Sequence, residues 1–283
     1  MTDEFNQLTG KEDGPTSVVL VGVHGDEVCG VRALDLLLPR LEIEKGTVWF
    51  GYGNPRAIAQ DVRYTEENLN RMFKDDKELS EAEKRSYEYG RAQYIKQYLD
   101  HVDVLLDVHA SFTPDSKPFI ICESNASEIA SYLPFDRVVS GFDTIQPGGT
   151  DYYMNRGGKI GICVECGYLG DPASTQRAYD TIVAFLKVRG HLPNDMRPRT
   201  QSTIQMKEMY LTKTNRFTLA RSFNDFEEVI EGEVIGRDGS EKIYAKKNGV
   251  ILFARNRSQK EDEAFLFGEK ISGPTKVSGA AHS

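Results

Sequence analysis

Apolar runs and amphipathic stretches alternate along the first two-thirds of the chain. Residues 17–23 (SVVLVGV) are almost wholly apolar and rich in β-branched side chains, which is typical of a strand buried on both faces. Similar runs predict further strands at residues 47–52, 102–108, 118–122 and 159–164. Helical periodicity and capping signals predict helices over residues 27–38, from Ser80 to about Leu99, and from Ser174 to Gly190. This alternation favours an α/β layer architecture.

The pattern changes after Gly190. Residues 191–199 form a polar linker that contains two prolines, and short alternating segments with turn signals follow it. We therefore predict two domains, an α/β domain over residues 1–195 and a small β-rich domain over residues 200–283. The last six residues, 278–283, are expected to fray.

Composition and charge exclude several classes of protein. The 283 residues include 39% hydrophobic ones, enough for a core, and carry a net charge of −8, which argues against binding nucleic acid through phosphates. We find no apolar run near the ~20 residues that span a bilayer, and no signal-peptide pattern. The chain has only four cysteines, which is not typical of a protein stabilised by disulfides, so we expect the protein to reside in a reducing compartment. Together these features predict a cytoplasmic protein that does not bind membranes.

Two of the five histidines directly follow predicted strands. His24 follows the first strand and His109 follows the strand at 102–108, and ligands bind beyond the carboxyl ends of strands in open α/β sheets. In His24-Gly-Asp-Glu27, a carboxylate lies three residues after the imidazole at a strand-to-helix turn. Two histidines, one carboxylate and an open fourth position make the catalytic zinc pattern. The alternative interpretation of H-x-x-E alone is a solvated polar pair.

Other polar groups suit catalysis or substrate binding. Glu165 ends a predicted strand just before Gly167, where a carboxylate can act as a general acid or base; the alternative is an edge glutamate facing water. Residues 54–73 are predicted to be a loop without secondary structure. Within that loop, Arg63 suits an oxyanion, and Asn70 with Arg71 suits a carboxylate, unless the loop is simply solvated.

The remaining candidates receive structural interpretations. Asp107, two residues before His109, is a candidate to orient an imidazole. Cys163 and Cys166 spell C-x-x-C, but without a second such pair they are interpreted as packing residues in the core or near the site. His101 and His191 have no partner by spacing and are predicted to lie on the surface.

Taken together, the motifs resemble the succinylglutamate desuccinylase/aspartoacylase family. The resemblance spans roughly residues 17–190, and it is carried by Gly22-Val-His-Gly-Asp-Glu27, Asn54-Pro-Arg-Ala57, Arg63-Tyr64, Asn68-Leu-Asn-Arg-Met-Phe73, Asp107-Val-His109 and Val164-Glu-Cys-Gly167. It implies a zinc-carboxypeptidase-like fold, a mixed sheet flanked by helices. The β-rich C-terminal domain would cap the active site.

The resemblance also implies roles for single residues. His24, Glu27 and His109 would bind one Zn²⁺ per chain. Glu165 would be the general base and then the proton donor to the leaving amine, while Arg63 would stabilise the oxyanion.

Four further residues are implied to bind substrate. Asn70 and Arg71 would hold the α-carboxylate of the amino-acid product, with Arg156 and then Tyr153 ranked after them. The chain departs from the family at Asn68, where the family often has aspartate, and at Ala110-Ser111, where aspartoacylases use an asparagine. The acyl group and the amino acid therefore stay open.

The function implied is hydrolysis of the amide bond of a small N-acyl amino acid. One alternative is a zinc carboxypeptidase or amidase that acts on short peptides. A second is a non-catalytic binding protein that retains the fold. The sequence leaves the oligomeric state open, a homo-oligomer included.

Overall fold

The computed structural model describes residues 4–271, so the segment 278–283 that was expected to fray lies outside the described residues. The strands in this range are β1 (Asn6–Thr9), β2 (Glu12–Val21), β3 (Lys45–Tyr52), β4 (Val104–Ser111), β5 (Phe119–Cys122), β6 (Arg137–Ser140), β7 (Ile160–Tyr168), β8 (Ser202–Leu211), β9 (Phe217–Leu219), β10 (Glu227–Val229), β11 (Val234–Asp238), β12 (Glu241–Tyr244), β13 (Gly249–Leu252) and β14 (Glu263–Ile271). The α-helices are α1 (Val28–Leu37), α2 (Pro55–Gln60), α3 (Tyr87–Leu99), α4 (Ser127–Ala130), α5 (Phe142–Ile145), α6 (Thr150–Arg156) and α7 (Ala173–Val188).

One large mixed sheet organises the described chain. Its strand order is β1-β3-β2-β4-β7-β5-β6-β8-β14-β13-β10, and a small antiparallel sheet has the order β12-β11-β9. The centre is parallel, since β2 pairs with β3 and β4, and β4 pairs with β7. All residues of β4 are buried because α1 and α7 pack on one face of the sheet and α3 on the other. The predicted α/β class, a mixed sheet flanked by helices with a small β-rich C-terminal part, is confirmed.

The C-terminal strands extend the large sheet. Strand β8 pairs in parallel with β6, and β14 and β13 continue from β8 as antiparallel neighbours. Residues 191–199 therefore lead from α7 to the far half of the same sheet. The division into domains 1–195 and 200–283 stays a prediction.

The five predicted strands are confirmed, whereas the start of the second helix was predicted wrongly. The backbone amide of Glu83 does donate to the Ser80 hydroxyl, but this turn ends in a short 3₁₀ helix, Glu83–Arg85. Ser86 then adopts an extended conformation and accepts a hydrogen bond from the amide of Tyr89. Because Ser86 is the true cap, α3 begins seven residues after Ser80.

The segment 54–73 is more ordered than expected. Pro55 begins α2, and the side chain of Asn54 accepts a hydrogen bond from the amide of Ala57 at 3.0 Å, which caps the helix. A 3₁₀ helix follows at Leu69–Arg71. The prediction of a loop without secondary structure was therefore wrong for about half of this segment.

His191 is buried, in contrast to the prediction that it lies on the surface. Its Nδ1–H donates to the carbonyl oxygen of Lys45, and its Nε2 accepts from the hydroxyl of Ser17, both at 2.9 Å. His191, three residues after the end of α7, thus links this end of the helix to the middle of β2 and to the first residue of β3. His101 is exposed, as expected.

Within residues 4–271, none of the helices combines the length and the apolar character that crossing a membrane requires.

The first strand-to-helix turn requires a glycine. A Cβ atom on Gly25 would lie 2.2 Å from the backbone carbon of Ala57, so α2 and this turn are packed backbone to backbone. We expect Gly25→Ala to lower the free energy of unfolding by about 1–3 kcal/mol, because the backbone must shift. Gly90 in α3 has no atom within 4 Å of an added Cβ, and Gly90→Ala should raise stability by ~0.5–1 kcal/mol. Urea denaturation of both variants checks this, and equal stabilities would contradict it.

Candidate active site

The site lies where three neighbouring parallel strands end. The register pairs Val21 of β2 with Val108 of β4, and His109 of β4 with Glu165 of β7. Carboxyl ends of parallel strands meet at one edge of a sheet. His24, which follows β2, is thereby brought to the same edge as His109 and Glu165.

Three side chains converge on one point at this edge. Nδ1 of His24 lies 2.8 Å from Oε1 of Glu27, and Nδ1 of His109 lies 2.9 Å from Oε2. One ligand atom from each residue lies within 4.8 Å of the other two, and all three residues are buried. The three residues that the sequence indicated as metal ligands are therefore brought together.

The orientation of His24 is set by Asn68. The Oδ1 of Asn68 accepts a hydrogen bond from the backbone amide of Asn70 at 3.0 Å, which fixes the amide orientation. The same oxygen lies 3.1 Å from Nε2 of His24, so that nitrogen carries the proton and donates. Nδ1 of His24 is left with a lone pair, and it is buried without a hydrogen-bond partner in residues 4–271.

His109 lies between two carboxylates. Its Nδ1 faces Glu27, and its Nε2 lies 3.1 Å from Oδ2 of Asp107, which also accepts a hydrogen bond from the hydroxyl of Thr150. Burial lowers the pKa of His109, but the negative charge of Asp107 outweighs it and leaves the pKa well above its ordinary value. The proposed orienting role of Asp107 fits this position.

Glu27 is a charged group in the interior. Besides the two imidazoles, NH1 of Arg63 donates to its Oε1 at 2.9 Å and the amide of Ala110 donates to its Oε2 at 3.1 Å. Burial raises the pKa of Glu27, but His24 and His109 lower it well below its ordinary value. A carboxylate between two imidazole nitrogens, one of them an unpartnered Nδ1, is a donor set that fits a divalent cation such as Zn²⁺.

Glu165 lies half-buried beside this cluster, without an ion-pair partner in the described chain. Its Oε2 makes no hydrogen bond within residues 4–271. Burial and then the negative charge of Glu27 raise the pKa of Glu165 to about 8. In the absence of a cation, the carboxyl group therefore holds a proton at neutral pH, and a nearby divalent cation would favour the carboxylate.

A cavity of about 660 Å³ opens in front of these groups. Besides His24, Glu27, His109 and Glu165, the predicted residues Arg63, Asn70 and Arg71 line it. Side chains from the C-terminal strands and loops complete its wall: Phe253, Arg255, Arg257, Glu261, Asp262 and Glu263. These six residues follow no sequence motif, and they reach the site because β13 and β14 extend the sheet beyond β8, so they were not predicted.

Arg156 and Tyr153 do not line this cavity, and their role in binding substrate stays a prediction. Arg156 pairs with Asp75 at 2.7 Å, and the hydroxyl of Tyr153 donates to Asp100 at 2.7 Å. Both side chains line a shallow pocket on the surface instead. The residues of α6 that line the cavity are Asp151 and Tyr152.

The cysteines are buried and free of disulfides within residues 4–271. Cys163 lines the cavity beside His109, while Cys166 lies in the core beneath it. Burial is the largest cause that raises the pKa of Cys163, and it contributes to raising that of Cys166 after the contact with Cys29. Thiols of this kind are unreactive packing groups.

Comparisons with known proteins agree on one family. A family model described as the succinylglutamate desuccinylase/aspartoacylase catalytic domain matches residues 13–189. The succinylglutamate desuccinylase of Pseudoalteromonas atlantica is 24% identical over 200 residues, covering 60% of this chain and 56% of the relative. The aspartoacylase of Danio rerio is 34% identical over 114 residues, covering 37% of this chain and 36% of the relative. The matches thus span about half or less of these relatives' length.

The fold is also similar to solved structures. The crystal structure of succinylglutamate desuccinylase from Vibrio cholerae superposes with a TM-score of 0.77, covering 91% of this chain and 82% of that one. At 20% sequence identity, this similarity concerns the fold alone.

The raised pKa of Glu165 predicts how the metal-free protein responds to pH. Its pKa rises from 4.5 to about 8 on folding, so the folded protein holds a proton that the unfolded chain releases in this window. The contribution of Glu165 to stability is therefore full below pH 4.5 and is lost as the pH rises towards about 8. Glu165→Gln cannot ionise at this position. We therefore expect its unfolding free energy, measured relative to that of wild type, to rise by ~2–4 kcal/mol when the pH is raised from 5 to 8.

Urea denaturation of chelator-treated protein at the two pH values measures this difference. The groups that act on Glu165 electrostatically are Glu27, His109, Arg63 and Asp225, and they are unchanged in the variant. The exposed Glu231 provides a control, because Glu231→Gln should show almost no pH-dependent difference. If Glu165→Gln behaves like that control, Glu165 does not hold the proton.

Proposed function

Since the chain belongs to the succinylglutamate desuccinylase/aspartoacylase family, we propose that it is a zinc-dependent hydrolase that cleaves the amide bond of a small N-acyl amino acid. One observation carries the proposal. His24, Glu27 and His109 converge within 4.8 Å of one another, and the unpartnered carboxyl group of Glu165 lines the same cavity. This arrangement supports a hydrolytic metal centre with an acid–base group beside it.

We propose that His24, Glu27 and His109 hold one Zn²⁺ per chain. Both imidazoles present Nδ1 towards Glu27, and Asn68 and Asp107 lie at their Nε2 atoms. A bound zinc ion supplies a positive charge that polarises a carbonyl group and lowers the pKa of water to about 7.

Glu165 is proposed to move the protons of the reaction. In hydrolysis of an amide, a proton leaves the attacking water and a proton must reach the departing amine. Glu165 lines the cavity beside the proposed metal ligands, where one carboxyl group can accept the first proton as a carboxylate and donate the second.

Arg63 is proposed to stabilise the negative charge that develops on the carbonyl oxygen. NH1 of Arg63 is bonded to Glu27, and its guanidinium group lies 5.0 Å from the ring centre of Phe112, which holds it at the cavity wall. The remaining N–H groups of a guanidinium are available to an oxyanion.

Asn70 is proposed to help hold the amino acid that is released. Its Oδ1 is buried and makes no hydrogen bond within the described residues, so it can accept one from a substrate N–H group. Arg71 is proposed to bind the α-carboxylate beside it: its NH2 lies 3.1 Å from Glu263, and the remaining N–H groups of the guanidinium are available to a substrate carboxylate.

The C-terminal part is proposed to cap the active site, in line with the division at residues 195 and 200. Support comes from the cavity wall, to which residues 253, 255, 257 and 261–263 contribute. A wall of this kind limits the depth of the cavity and favours small substrates over longer peptides, the alternative considered from the sequence.

Metal content and turnover test the proposal together. We expect purified protein to bind one Zn²⁺ per chain at neutral pH and His24→Ala to lose it. Glu165→Gln should keep the metal but lose turnover by at least ~100-fold, because the proton carrier is gone. Metal analysis and release of free amine measure these results, with substrates that pair acetyl and succinyl groups with acidic, aromatic and neutral amino acids.

Glu231→Gln, an exposed carboxyl group outside the cavity, should keep both metal and turnover. A wild-type protein that binds no zinc contradicts the proposal, and an active Glu165→Gln removes Glu165 as the proton carrier. Zinc binding without hydrolysis of any of these substrates would favour the non-catalytic alternative.

The uncharged side chain of Asn68 lies beside His24, so a change in its charge is expected to change the affinity of the site for zinc. Asn68 accepts the Nε2–H of His24 as an uncharged amide, whereas a carboxylate at this position would make the imidazole a stronger ligand. We expect Asn68→Asp to raise zinc affinity by about 10-fold and Asn68→Ala to lower it by a similar factor. Competition with a fluorescent chelator measures affinity without reference to activity.

Asn248→Asp adds the same charge on the exposed surface and should leave zinc affinity unchanged. If Asn68→Asp gives the affinity of wild type, the contact between Asn68 and His24 does not tune the ligand.

A further inference from the structure

The segment that carries Arg63 and Asn68 lacks regular backbone pairing. The amides of residues 65–67 make no backbone-to-backbone hydrogen bond within residues 4–271. No side chain from residue 63 to residue 68 is buried, so apolar packing does not fix the segment either. Another contact must therefore hold the two groups that this segment presents to the site.

A buried carboxylate of α3, that of Glu88, supplies this contact. Its Oε1 accepts hydrogen bonds from the amide and the hydroxyl of Thr65 at 2.8 and 2.7 Å, and its Oε2 accepts one from the amide of Glu67 at 3.1 Å. The amide of Glu66 also donates to Oε1 at 3.4 Å, and so does Nδ2 of Asn54, the cap of α2, at 3.2 Å. One side chain thus binds three consecutive amides and joins the segment to α2 and α3.

The negative charge of Glu88 strengthens this anchor. Glu88 has no exposed surface, and burial raises its pKa, but the hydrogen bonds that it accepts, chiefly those from Thr65, outweigh burial and hold the pKa below its ordinary value. The side chain is therefore a carboxylate at neutral pH, and hydrogen bonds to an ionised acceptor are roughly twice as strong as those between neutral groups. A glutamine here would keep the shape, but its NH₂ group would face one of the donors.

Both ends of the anchored segment contact the proposed metal ligands. At one end, NH1 of Arg63 donates to Glu27 at 2.9 Å, and the backbone oxygen of Arg63 accepts from the amide of Gly25 at 3.2 Å. At the other end, Oδ1 of Asn68 accepts the Nε2–H of His24 at 3.1 Å. The anchoring carboxylate itself does not line the cavity, so any effect on the reaction passes through these two ends.

We propose that Glu88 is a positioning residue for the reaction. By holding the segment between them, it keeps Arg63 directed at the developing oxyanion and Asn68 in contact with His24. The part that concerns Arg63 rests on the proposed function. The part that concerns Asn68 and His24 is a property of the folded chain and holds without turnover.

The residues proposed to bind the released amino acid are held in a different way. Asn70 and Arg71 belong to the 3₁₀ helix Leu69–Arg71, and the side chain of Leu69 is buried in the core. Loss of the contacts at Glu88 should therefore weaken stabilisation of the transition state more than binding of the substrate. In kinetic terms, kcat falls and KM changes little.

Kinetics in two backgrounds tests the effect on Arg63. At saturating zinc, we expect Glu88→Gln to lower kcat by about 10- to 100-fold and to change KM by less than about threefold. In an Arg63→Met background, the same substitution should lower kcat further by less than about threefold, because its effect passes through Arg63. An equal loss in both backgrounds contradicts this pathway.

Leu99→Ala is the matched control for a loss of stability alone. Leu99 is buried in the last turn of α3, about three turns beyond Glu88. The substitution leaves a cavity in the core and destabilises the same helix, yet it should leave kcat and KM unchanged. Thermal unfolding of each variant checks that it folds.

Hydrogen exchange of two histidine protons reads the same inference without turnover. In metal-free protein labelled with ¹⁵N-histidine, the Nε2–H of His24 is held by Asn68, and the Nδ1–H of His191 is held by the carbonyl oxygen of Lys45. Asn68→Ala identifies the first signal by removing it. We expect Glu88→Gln to speed exchange of the His24 proton at least about tenfold and to leave that of His191 unchanged.

The two measurements separate failure of this inference from failure of the proposed function. If wild type hydrolyses substrate, a wild-type kcat in Glu88→Gln overturns the inference for Arg63, and a wild-type exchange rate overturns it for Asn68. If wild type hydrolyses none of the substrates, the proposed function fails and exchange alone decides. Faster exchange of the His24 proton then supports the role of Glu88, and an unchanged rate overturns it.

Discussion

The burial of the Glu27 carboxylate is the constraint on which the site depends. An unpaired charge in the interior costs several kcal/mol, so this carboxylate needs compensation from every side. The compensation comes from His24, His109, Arg63 and the amide of Ala110, which belong to three separate parts of the chain. Folding of the first turn, the end of β4 and the segment after α2 is thereby tied to one group. The same convergence of nitrogen and oxygen atoms is what a divalent cation requires.

The sequence predicted the parts of this arrangement that depend on neighbours in the chain. A strand buried on both faces has an apolar run, and a polar residue directly after such a run lies at the edge of the sheet, which sufficed for His24, His109 and Glu165. The start of α3 and the presence of α2 were predicted wrongly because the local signals for them are weak or compete with each other. Ser80 and Ser86 both offer capping hydroxyls, and only the extended backbone at Ser86 decides between them. For α2, the Asn54-Pro55 start signal was readable, but six residues are too few to show a period.

Other parts depend on tertiary contacts that no local pattern reveals. Arg71 and Glu263 are 192 positions apart, and they meet only because β14 pairs with β8. Arg156 shows the opposite case. It lies one helical turn after Tyr152 and donates to its hydroxyl at 3.1 Å, but its charge pairs with Asp75, whereas Tyr152 lines the cavity. His191 seemed an isolated linker residue, yet the buried hydroxyl of Ser17 within β2 and the carbonyl oxygen of Lys45 at the start of β3 are both hydrogen-bonded to its ring.

The net charge of −8 and an anionic substrate are compatible because the two act over different distances. Charges on the outer surface are screened beyond about 8–10 Å at physiological ionic strength. Inside the cavity, an anion meets whichever charges remain unbalanced at close range. Arg63 and Arg71 pair with Glu27 and Glu263, and Arg255 and Arg257 line the same wall. Glu261 and Asp262 also line it, so both signs of charge are present at close range. The net charge of the whole chain therefore does not decide whether the cavity accepts an anion, because the charges at the wall do.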